Sequence, residues 1–275
     1  MGRPVSALAA AESALEEHLR SLGAVVVAFS GGADSAFLAH TAQRVLGPAA
    51  RAVTAVSPSL APEERADCAA LAAEWGLAWS EVATAEMEDP RYRANDADRC
   101  RWCKEALMDA LGPVASVAGA ATVVLGVNVD DLGDHRPGQE AAAARGAVFP
   151  LVEAGFTKEM VREASRRRGL RTADKPAAAC LASRLPYGTA VTVAILDRVG
   201  RAEAALHALG LDEVRVRHTG DTARVEVPLD RLGEVAARHV EVVAAVRGAG
   251  YRRVTLDLEG LRSGNLNLDL VAGSS

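Results

Sequence analysis

Aromatic residues are scarce in this chain of 275 residues, where they make up 4% of the sequence. Many of the apolar residues are alanines instead, and alanine favours helices over the aromatic-rich sheets of all-β proteins. Basic residues are not in excess either, since the formal net charge at pH 7 is -5. A general affinity for nucleic acids or other polyanions is therefore not expected.

Long hydrophobic runs are also missing, and every apolar stretch falls far short of the roughly 20 residues that span a bilayer. The N-terminus carries acidic residues early, so a helix is expected there rather than a secretion signal. We therefore expect a cytoplasmic protein without membrane contacts. The four cysteines, Cys68, Cys100, Cys103 and Cys180, are too few for a disulfide scaffold. In a reducing compartment the close pair favours metal or redox chemistry.

Strand-like and helix-like segments alternate through the first part of the sequence. The predicted strands are Ala24–Phe29, Ala52–Val56, Leu77–Val82 and Thr122–Val127. Their alternation with helical segments predicts a parallel sheet covered by helices on both faces. Further on, helices over 192–209 and 230–248 accompany three strand-like runs, which predicts a smaller α+β domain with antiparallel strands. We therefore predict an α/β protein with domains at 1–175 and 176–275.

A glycine-rich segment, Ser30–Ser35, lies between the first predicted strand and a predicted helix and reads SGGADS. Glycines let backbone N–H groups approach a phosphate closely, and a helix N-terminus adds a partial positive charge. The hydroxyls of Ser30 and Ser35 can donate hydrogen bonds, and the Asp34 carboxylate can hold Mg²⁺ against the anion. The alternative is an ordinary glycine turn between a strand and a helix.

The same segment lacks the Gly-Lys-Ser/Thr ending that kinases and GTPases use to bind nucleotides. It resembles the PP-loop, SGGxDS, of the ATP pyrophosphatases, which cleave ATP between the α and β phosphates and leave AMP on a substrate. The resemblance implies the adenine nucleotide alpha hydrolase-like fold of that superfamily. It also implies an ATP site at Ser30, Gly31, Gly32, Asp34 and Ser35.

A second segment of interest surrounds Cys180. The thiolate is the reactive form of cysteine, and a nearby cation such as Lys175 or Arg184 can lower its pKa. A lone cysteine is more often a small core residue. The run KPAAACLASRLPYG resembles, however, the KPAxxCLASRxPYG signature of the ATP-dependent sacrificial sulfur transferases, the LarE family. The resemblance continues through PLVEAGFTKEMVREASRRRGL and RVTLDLEGLRSGNLN.

Members of that family thiolate a pyridinium biscarboxylic acid mononucleotide, a step toward the nickel-pincer cofactor of lactate racemase and related enzymes. The resemblance therefore implies a sulfurtransferase in which ATP adenylates a substrate carboxylate and pyrophosphate leaves. It implies catalytic roles for Cys180 and Asp34, a homohexameric assembly and a sulfide donor as a further partner. The substrate-binding residues that it implies are Ser183, Arg184, Arg215 and Arg217.

The pair Cys100 and Cys103 has a spacing that suits one metal ion or one cluster. Two thiolates do not complete four-coordination, and Cys180 is the third ligand that we predict. In one branch of the LarE family the sulfur is cut from a single cysteine, which leaves dehydroalanine. In another branch three cysteines resembling these hold a [4Fe-4S] cluster that can carry an extra sulfide, and this sequence resembles that branch. A zinc site and a redox disulfide are the alternatives.

Other candidates come from their positions along the predicted strands. Ser57 ends the second strand, and Asn128 and Asp131 follow the fourth, where ligands of parallel sheets bind. Asn128 and Asp131 lie in a stretch resembling the family's DGTNxDD, although Leu and Val replace its first Asp and its Thr. All three are predicted to bind ATP or pyrophosphate. Arg136, further along, is a candidate anion ligand. A solvated polar loop is the alternative.

In the second predicted domain, Arg215 and Arg217 alternate along a strand and therefore face one side, where they could hold a phosphate. A solvated strand face is the alternative. Glu203 and Glu226 are candidate metal ligands in the same domain. Cys68 has apolar neighbours in a predicted helix and is expected to be part of the core.

Two other functions remain open from the sequence. A tRNA-thiolating PP-loop enzyme would share the nucleotide loop, but would normally carry a basic RNA surface and stacking aromatics. A nucleotide-binding sensor on the same fold would need neither Asp34 nor Cys180 for catalysis.

Overall fold

The computed structural model describes residues 7–119, 121–133, 137–176 and 179–262. These residues form two compact units. Unit 1 consists of the described parts of Met1–Ser57, Glu64–Glu86 and Cys100–Ala178. Unit 2 consists of the described parts of Pro58–Glu63, Met87–Arg99 and Ala179–Ser275, so two short segments from the first half of the sequence belong to it.

Helices and strands are numbered in chain order. The strands are β1 (Val25–Ala28), β2 (Ala50–Val56), β3 (Trp79–Ala83), β4 (Thr122–Leu125), β5 (Arg215–Thr219), β6 (Thr222–Glu226) and β7 (Arg253–Leu256). The helices are α1 (Ala7–Leu22), α2 (Ala33–Leu46), α3 (Pro62–Trp75), α4 (Pro90–Ala94), α5 (Arg99–Val117), α6 (Pro137–Ala144), α7 (Pro150–Glu153), α8 (Lys158–Arg167), α9 (Val193–His207), α10 (Leu232–Ala237) and α11 (His239–Gly248). None of the helices in the described ranges is long and apolar enough to cross a bilayer.

The sheet of unit 1 is parallel, with the strand order β3-β2-β1-β4. In this order Val25 of β1 is paired with Ala50 of β2 on one side and with Thr122 of β4 on the other. The strand order therefore reverses beside β1, and parallel sheets bind their ligands at the carboxyl ends of the strands at such a point. The predicted α/β class, with a parallel sheet domain and a smaller C-terminal part, is confirmed.

Helices cover both faces of this sheet. Val27 and Val26 of β1 point into different cores, because successive side chains of a strand alternate between its faces. The first core includes side chains of α1, α2 and α8, with the rings of Phe37 and Phe156 5.3 Å apart between centroids. The second core includes Leu111 of α5. Burial on both faces explains why β1 and β4 are almost continuously apolar.

Six strand boundaries differ from the prediction by one or two residues, and two of these differences have a clear physical reason. β3 begins two residues after Leu77, because the N–H of Leu77 donates to the carbonyl of Ala72 at 2.9 Å and so closes the end of α3. β4 ends at Leu125, two residues before its predicted end. A Cβ on the next residue, Gly126, would lie 2.7 Å from the backbone nitrogen of Ser35. The chain thus leaves the sheet where it passes closely beside the start of α2.

The sheet of unit 2 has the order β5-β6-β7. β5 and β6 are antiparallel, but β7 runs parallel to β6, so the prediction of antiparallel strands is wrong for β7. The physical reason is the connection, because α10 and α11 return the chain so that it enters the sheet in the same direction. Leu206 of α9 and Val242 and Val246 of α11 belong to the core of this unit, together with side chains of the sheet.

The single helix predicted over 230–248 is interrupted at Arg238. This residue separates α10 from α11 and has a ψ of 22°, which is outside the helical range. Its guanidinium donates to Glu234 and to Glu241, at 3.0 Å in each case. The side chain of Arg238 therefore bridges the two helices at the point where the backbone leaves the helical conformation.

Candidate active site

The phosphate loop occupies the junction of β1 and α2. The hydroxyl of Ser35 accepts a hydrogen bond from the backbone N–H of Ser30 at 3.3 Å and lies 3.1 Å from the Ser30 hydroxyl. It also donates to the carbonyl of Gly32 at 3.1 Å. Since Gly32 is the N-cap residue of α2 and has no side chain, that residue leaves the first N–H groups of the helix open to an anion.

Gly31 is required at its position for two reasons. Its φ is +71°, a left-handed conformation that glycine adopts without steric cost. A Cβ there would also lie 2.9 Å from the sulfur of Cys68 on α3. Cys68 is fully buried in the first core, which confirms its interpretation as a packing residue. Burial also raises the pKa of this thiol.

Asp34, in the first turn of α2, meets the loop that follows β4. The side-chain N–H of Asn128 donates to Asp34 Oδ1 at 3.1 Å. Asn128 is completely buried and is itself held by Asp131, whose Oδ2 accepts from the Asn128 backbone N–H at 3.2 Å. The structure thus brings Asp34, Asn128 and Asp131 together at one edge of the sheet, as the strand order requires.

The environment of Asp34 bears on metal binding. Burial raises the pKa of this carboxyl above its ordinary value, the hydrogen bond from Asn128 opposes the rise, and the charge of Asp131 adds to it. A cation at this position would stabilise the ionised form. Within the described ranges, no group of three or more His, Cys, Asp or Glu side chains is arranged to hold a metal ion. A single carboxylate still fits Mg²⁺, which usually combines one or two carboxylates with water and substrate phosphates.

Ser57 directly follows β2, beside β1 at the same carboxyl edge of the sheet. Its predicted role in binding adenosine or phosphate stays a prediction. Arg136, the candidate anion ligand, lies outside the described residues, as do Ala177 and Ala178 of the cysteine signature and the SGNLN run near the C-terminus.

Cys100 and Cys103 belong to the first turns of α5 in unit 1. Their spacing of three positions places both on one side of that helix. Cys100 is exposed, Cys103 is half-buried, and neither forms a disulfide. Gly138 of α6 packs against this turn, since a Cβ there would lie 2.8 Å from the carbonyl of Cys100. Cys180 belongs to unit 2, and a cluster shared by all three cysteines stays a prediction.

Cys180 begins a tight turn that is heavily braced. Its carbonyl accepts hydrogen bonds from the backbone N–H of Ser183 at 2.9 Å and from the Ser183 hydroxyl at 2.7 Å. The next N–H, of Leu181, donates to the carbonyl of Ser59 at 2.9 Å. The side chain of Cys180 itself is exposed. The turn therefore presents a thiol to the outside on a fixed backbone.

Arg184 supplies much of that bracing. Its guanidinium is buried and donates to both carboxylate oxygens of Glu203, at 2.9 and 3.1 Å. A third nitrogen donates to the carbonyl of Ala179 at 2.7 Å. This geometry fits a residue that positions the Cys180 turn, and direct binding of the substrate by Arg184 stays a prediction.

A second buried ion pair lies next to the first in unit 2. Arg217 contacts Glu226 at 3.0 Å and donates to the carbonyl of Ser183 at 2.7 Å. The carboxylates of Glu203 and Glu226, predicted as metal ligands, are thus each engaged by an arginine, and their metal role stays a prediction. Arg215 interacts with the charges of these two ion pairs. Burial lowers its pKa, and the charges of Arg184 and Arg217 lower it further.

The sequence analysis missed a network that supports the cysteine turn from residues 58–63 and 87–99. Arg99 is buried and donates to the carbonyl of Ala182 at 2.8 Å and to Asn95 Oδ1 at 2.5 Å. The amide of Asn95 in turn donates to the carbonyls of Pro186 and Thr189. Asn95 has a φ of 56°, and a signal for it was the asparagine after a short helical segment, since Asn tolerates this conformation.

Comparison with known proteins completes the description of the site. No family model matches the sequence. An uncharacterized protein of Synechocystis sp. is 46% identical over 255 residues, which is 92% of this chain and 95% of that protein. The pyridinium-3,5-bisthiocarboxylic acid mononucleotide synthase of Lactiplantibacillus plantarum is 36% identical over 264 residues, 96% of each chain. At this identity and coverage, the chain belongs to the LarE family, the family of that synthase.

Proposed function

We propose that this protein is an ATP-dependent sulfurtransferase that converts a carboxylate of pyridinium-3,5-biscarboxylic acid mononucleotide to a thiocarboxylate, for nickel-pincer cofactor biosynthesis. The observation that carries the proposal is the similarity to a relative named pyridinium-3,5-bisthiocarboxylic acid mononucleotide synthase. The geometry of the loop Ser30–Ser35 supports it. The loop joins an open helix N-terminus to a carboxylate held by Asn128.

In the first step, the loop Ser30–Ser35 binds ATP through its backbone N–H groups and the N-terminus of α2. A carboxylate oxygen of the substrate attacks the α-phosphorus, and the bond from that phosphorus to the bridging oxygen of pyrophosphate breaks. The products are an acyl-adenylate and pyrophosphate. Asp34 would hold Mg²⁺, which neutralises charge on the phosphates when bound.

In the second step, a sulfur nucleophile attacks the acyl carbon, and AMP leaves with the electron pair of the broken carbon–oxygen bond. If the nucleophile is sulfide, the thiocarboxylate forms directly. If it is the Cys180 thiolate, a thioester forms, and loss of the Cα proton with cleavage of the Cβ–Sγ bond releases the thiocarboxylate and leaves dehydroalanine. Cys100, Cys103 and Cys180 would hold a [4Fe-4S] cluster, which can supply sulfide.

The charges in unit 2 support the proposed binding of the substrate phosphate there. Arg184, Arg215 and Arg217 carry three positive charges against the two carboxylates of Glu203 and Glu226. Burial lowers the pKa of Arg215, and the charges of Arg184 and Arg217 lower it further; a phosphate dianion would relieve the repulsion among these charges. Among these three arginines, Arg215 is the one whose pKa burial and the neighbouring positive charges lower, and we propose that it binds the substrate phosphate.

The decisive experiment combines product and metal analysis on anaerobically purified protein. We expect pyrophosphate and AMP from ATP only when the pyridinium substrate is present. About four irons and four sulfides per chain, lost in Cys100→Ala, Cys103→Ala and Cys180→Ala, would establish the cluster. Without iron after reconstitution, dehydroalanine at Cys180 in the intact mass after turnover would establish the single-use donor instead.

Other outcomes would favour the remaining functions. Binding of tRNA at physiological salt would favour a tRNA-thiolating enzyme. Nucleotide binding without pyrophosphate release would favour a sensor and overturn the proposed reaction. The expected homohexamer is a separate proposal, which light scattering of the purified chain tests directly.

A further inference from the structure

Lys175 lies beside the phosphate loop. An ideal Cβ on Gly31 would be 3.7 Å from Lys175 Nζ, so the ammonium group is in van der Waals range of the first glycine of the loop. Both residues belong to unit 1. In the sequence, Lys175 drew attention only through its nearness to Cys180 along the chain. Its place in the structure points to a different partner.

Two carboxylates of α3 hold this ammonium group. Nζ donates to Glu64 Oε2 and to Asp67 Oδ2, at 2.7 Å in both cases. Burial lowers the pKa of Lys175, but the hydrogen bonds to Asp67 and Glu64 and the charges of these carboxylates outweigh burial and raise it above its usual value. Lys175 is therefore a cation at neutral pH, with 17% of its side chain exposed.

The same helix supports the loop and positions the lysine. Cys68 and Leu71 of α3 are the other near neighbours of the Gly31 Cβ position, so α3 contacts the glycine and the ammonium group together. An ammonium group has three N–H donors. Within the described part of the chain, Glu64 and Asp67 take two of them, which leaves one donor for an oxygen of a bound anion.

We propose that Lys175 binds the pyrophosphate half of ATP, and pyrophosphate itself, as the cationic partner of the loop Ser30–Ser35. This inference rests on the proposed function, because it requires ATP at that loop. A hydrogen bond between an ammonium group and a phosphate oxygen is charge-assisted and roughly twice as strong as a neutral one. Lys175 thus does more than tie the segment after α8 to α3.

The test is calorimetric binding of ATP, inorganic pyrophosphate and AMP to the full chain in the presence of Mg²⁺. The variants are Lys175→Met, Lys175→Gln and Lys175→Arg. Arg171→Met is the matched control, because Arg171 contacts the other oxygen of Asp67 at 2.6 Å and its removal also leaves this carboxylate with one cation fewer. Thermal unfolding of each variant identifies a loss of folding, and Lys175→Gln replaces Lys175→Met if the latter does not fold.

We expect Lys175→Met to bind ATP and pyrophosphate about tenfold more weakly or worse, with AMP affinity unchanged and a partial recovery in Lys175→Arg. Arg171→Met should stay within about twofold for all three ligands. Unchanged pyrophosphate affinity in Lys175→Met, an equal loss for AMP, or an equal loss in Arg171→Met would each overturn the inference. A wild-type protein that binds no ATP would instead overturn the proposed function, and the inference with it.

Discussion

Asn128 donates a 3.1 Å hydrogen bond to Asp34 across the edge of the parallel sheet, although 94 residues separate the two in the chain. The bond joins the loop after β4 to the first turn of α2. Asn128 is fully buried, and its side-chain oxygen accepts from the backbone N–H groups of Asp130 and Asp131. The amide nitrogen of Asn128 thus positions the carboxylate that we propose to hold Mg²⁺, and its amide oxygen holds the loop after β4 in place.

Replacing Asn128 with Ala removes the side-chain hydrogen bond that lowers the pKa of Asp34. The pKa of Asp34 should therefore rise further, so that on acidification Asp34 of the variant becomes protonated at a higher pH than Asp34 of the wild type. We expect the acidic limb of the pH profile for pyrophosphate release to move to higher pH, with weaker ATP binding at pH 7. Asp130→Ala is the control, because it keeps the backbone N–H that bonds to Asn128, and it should leave the acidic limb in place. An unshifted acidic limb in Asn128→Ala would contradict the prediction.

Asp34→Asn should separate function from stability. Because the pKa of Asp34 is raised in the folded protein, its ionised form destabilises the fold at any pH above that pKa. The neutral amide removes this cost, so we expect a higher unfolding temperature than wild type at pH 7, together with loss of pyrophosphate release. The difference in unfolding temperature should shrink as the pH falls and wild-type Asp34 becomes protonated. Equal stability of the two proteins at pH 7 would argue against a raised pKa of Asp34 in the folded protein.

Gly31→Ala tests the shape of the phosphate loop. The φ of +71° and the 2.9 Å approach to Cys68 both oppose a Cβ, and we expect a loss of about 1–3 kcal/mol in the free energy of unfolding. Gly32→Ala is the matched control, because a Cβ there meets nothing nearer than the Ser30 hydroxyl at 3.7 Å. Chemical denaturation measures both, and Gly31→Ala combined with Cys68→Ala should recover part of the loss. A Gly31→Ala protein as stable as Gly32→Ala would show that the loop adapts freely.

The sequence predicted the parallel sheet of unit 1 well because the signals for its strands and helices are local. An apolar strand followed by glycines and a helix is typical of a parallel sheet covered by helices, and the order of strands and helices then determines where the loops meet. The end of β4 was missed because the close approach of Gly126 to Ser35 joins positions far apart in the chain. The direction of β7 was missed because it depends on how α10 and α11 return the chain from β6, which the local pattern of the strand does not record.

The candidate site shows the same division between local and distant signals. The loop Ser30–Ser35 and the cysteines stand out as motifs, so the sequence alone identified them. Arg99 and Asn95 do not stand out in the sequence, because their hydrogen bonds to Ala182 and Pro186 form only in the folded protein. Lys175 was noticed only for its nearness to Cys180 in the chain, because the sequence does not show that it lies beside Gly31.

The buried pair of Arg184 and Glu203 gives a test of how the Cys180 turn is held. Removing one partner leaves an unpaired buried charge, so Glu203→Leu should destabilise the protein by about 3–5 kcal/mol. Glu203 also accepts from the backbone N–H of Val216 at 2.8 Å, which connects the pair to β5. Glu203→Gln keeps the size of the side chain and one acceptor oxygen, which can still accept from Val216 and from one nitrogen of Arg184, and should cost less.

The alkylation rate of Cys180 by iodoacetamide in folded protein distinguishes two roles of the Arg184–Glu203 pair. A role in stability alone leaves this rate unchanged, whereas a role in positioning the turn changes it. Arg184 fixes the carbonyl of Ala179, the residue before the cysteine, so Arg184→Met should loosen the turn and change the alkylation rate of Cys180 while that of Cys100 stays constant. Arg201→Met is the control, because Arg201 forms an exposed ion pair with Asp197 on α9 and makes no hydrogen bond to the described residues of the turn. An unchanged rate at Cys180 in Arg184→Met would mean that the hydrogen bonds from Ser183 and Leu181 suffice to hold the thiol in place.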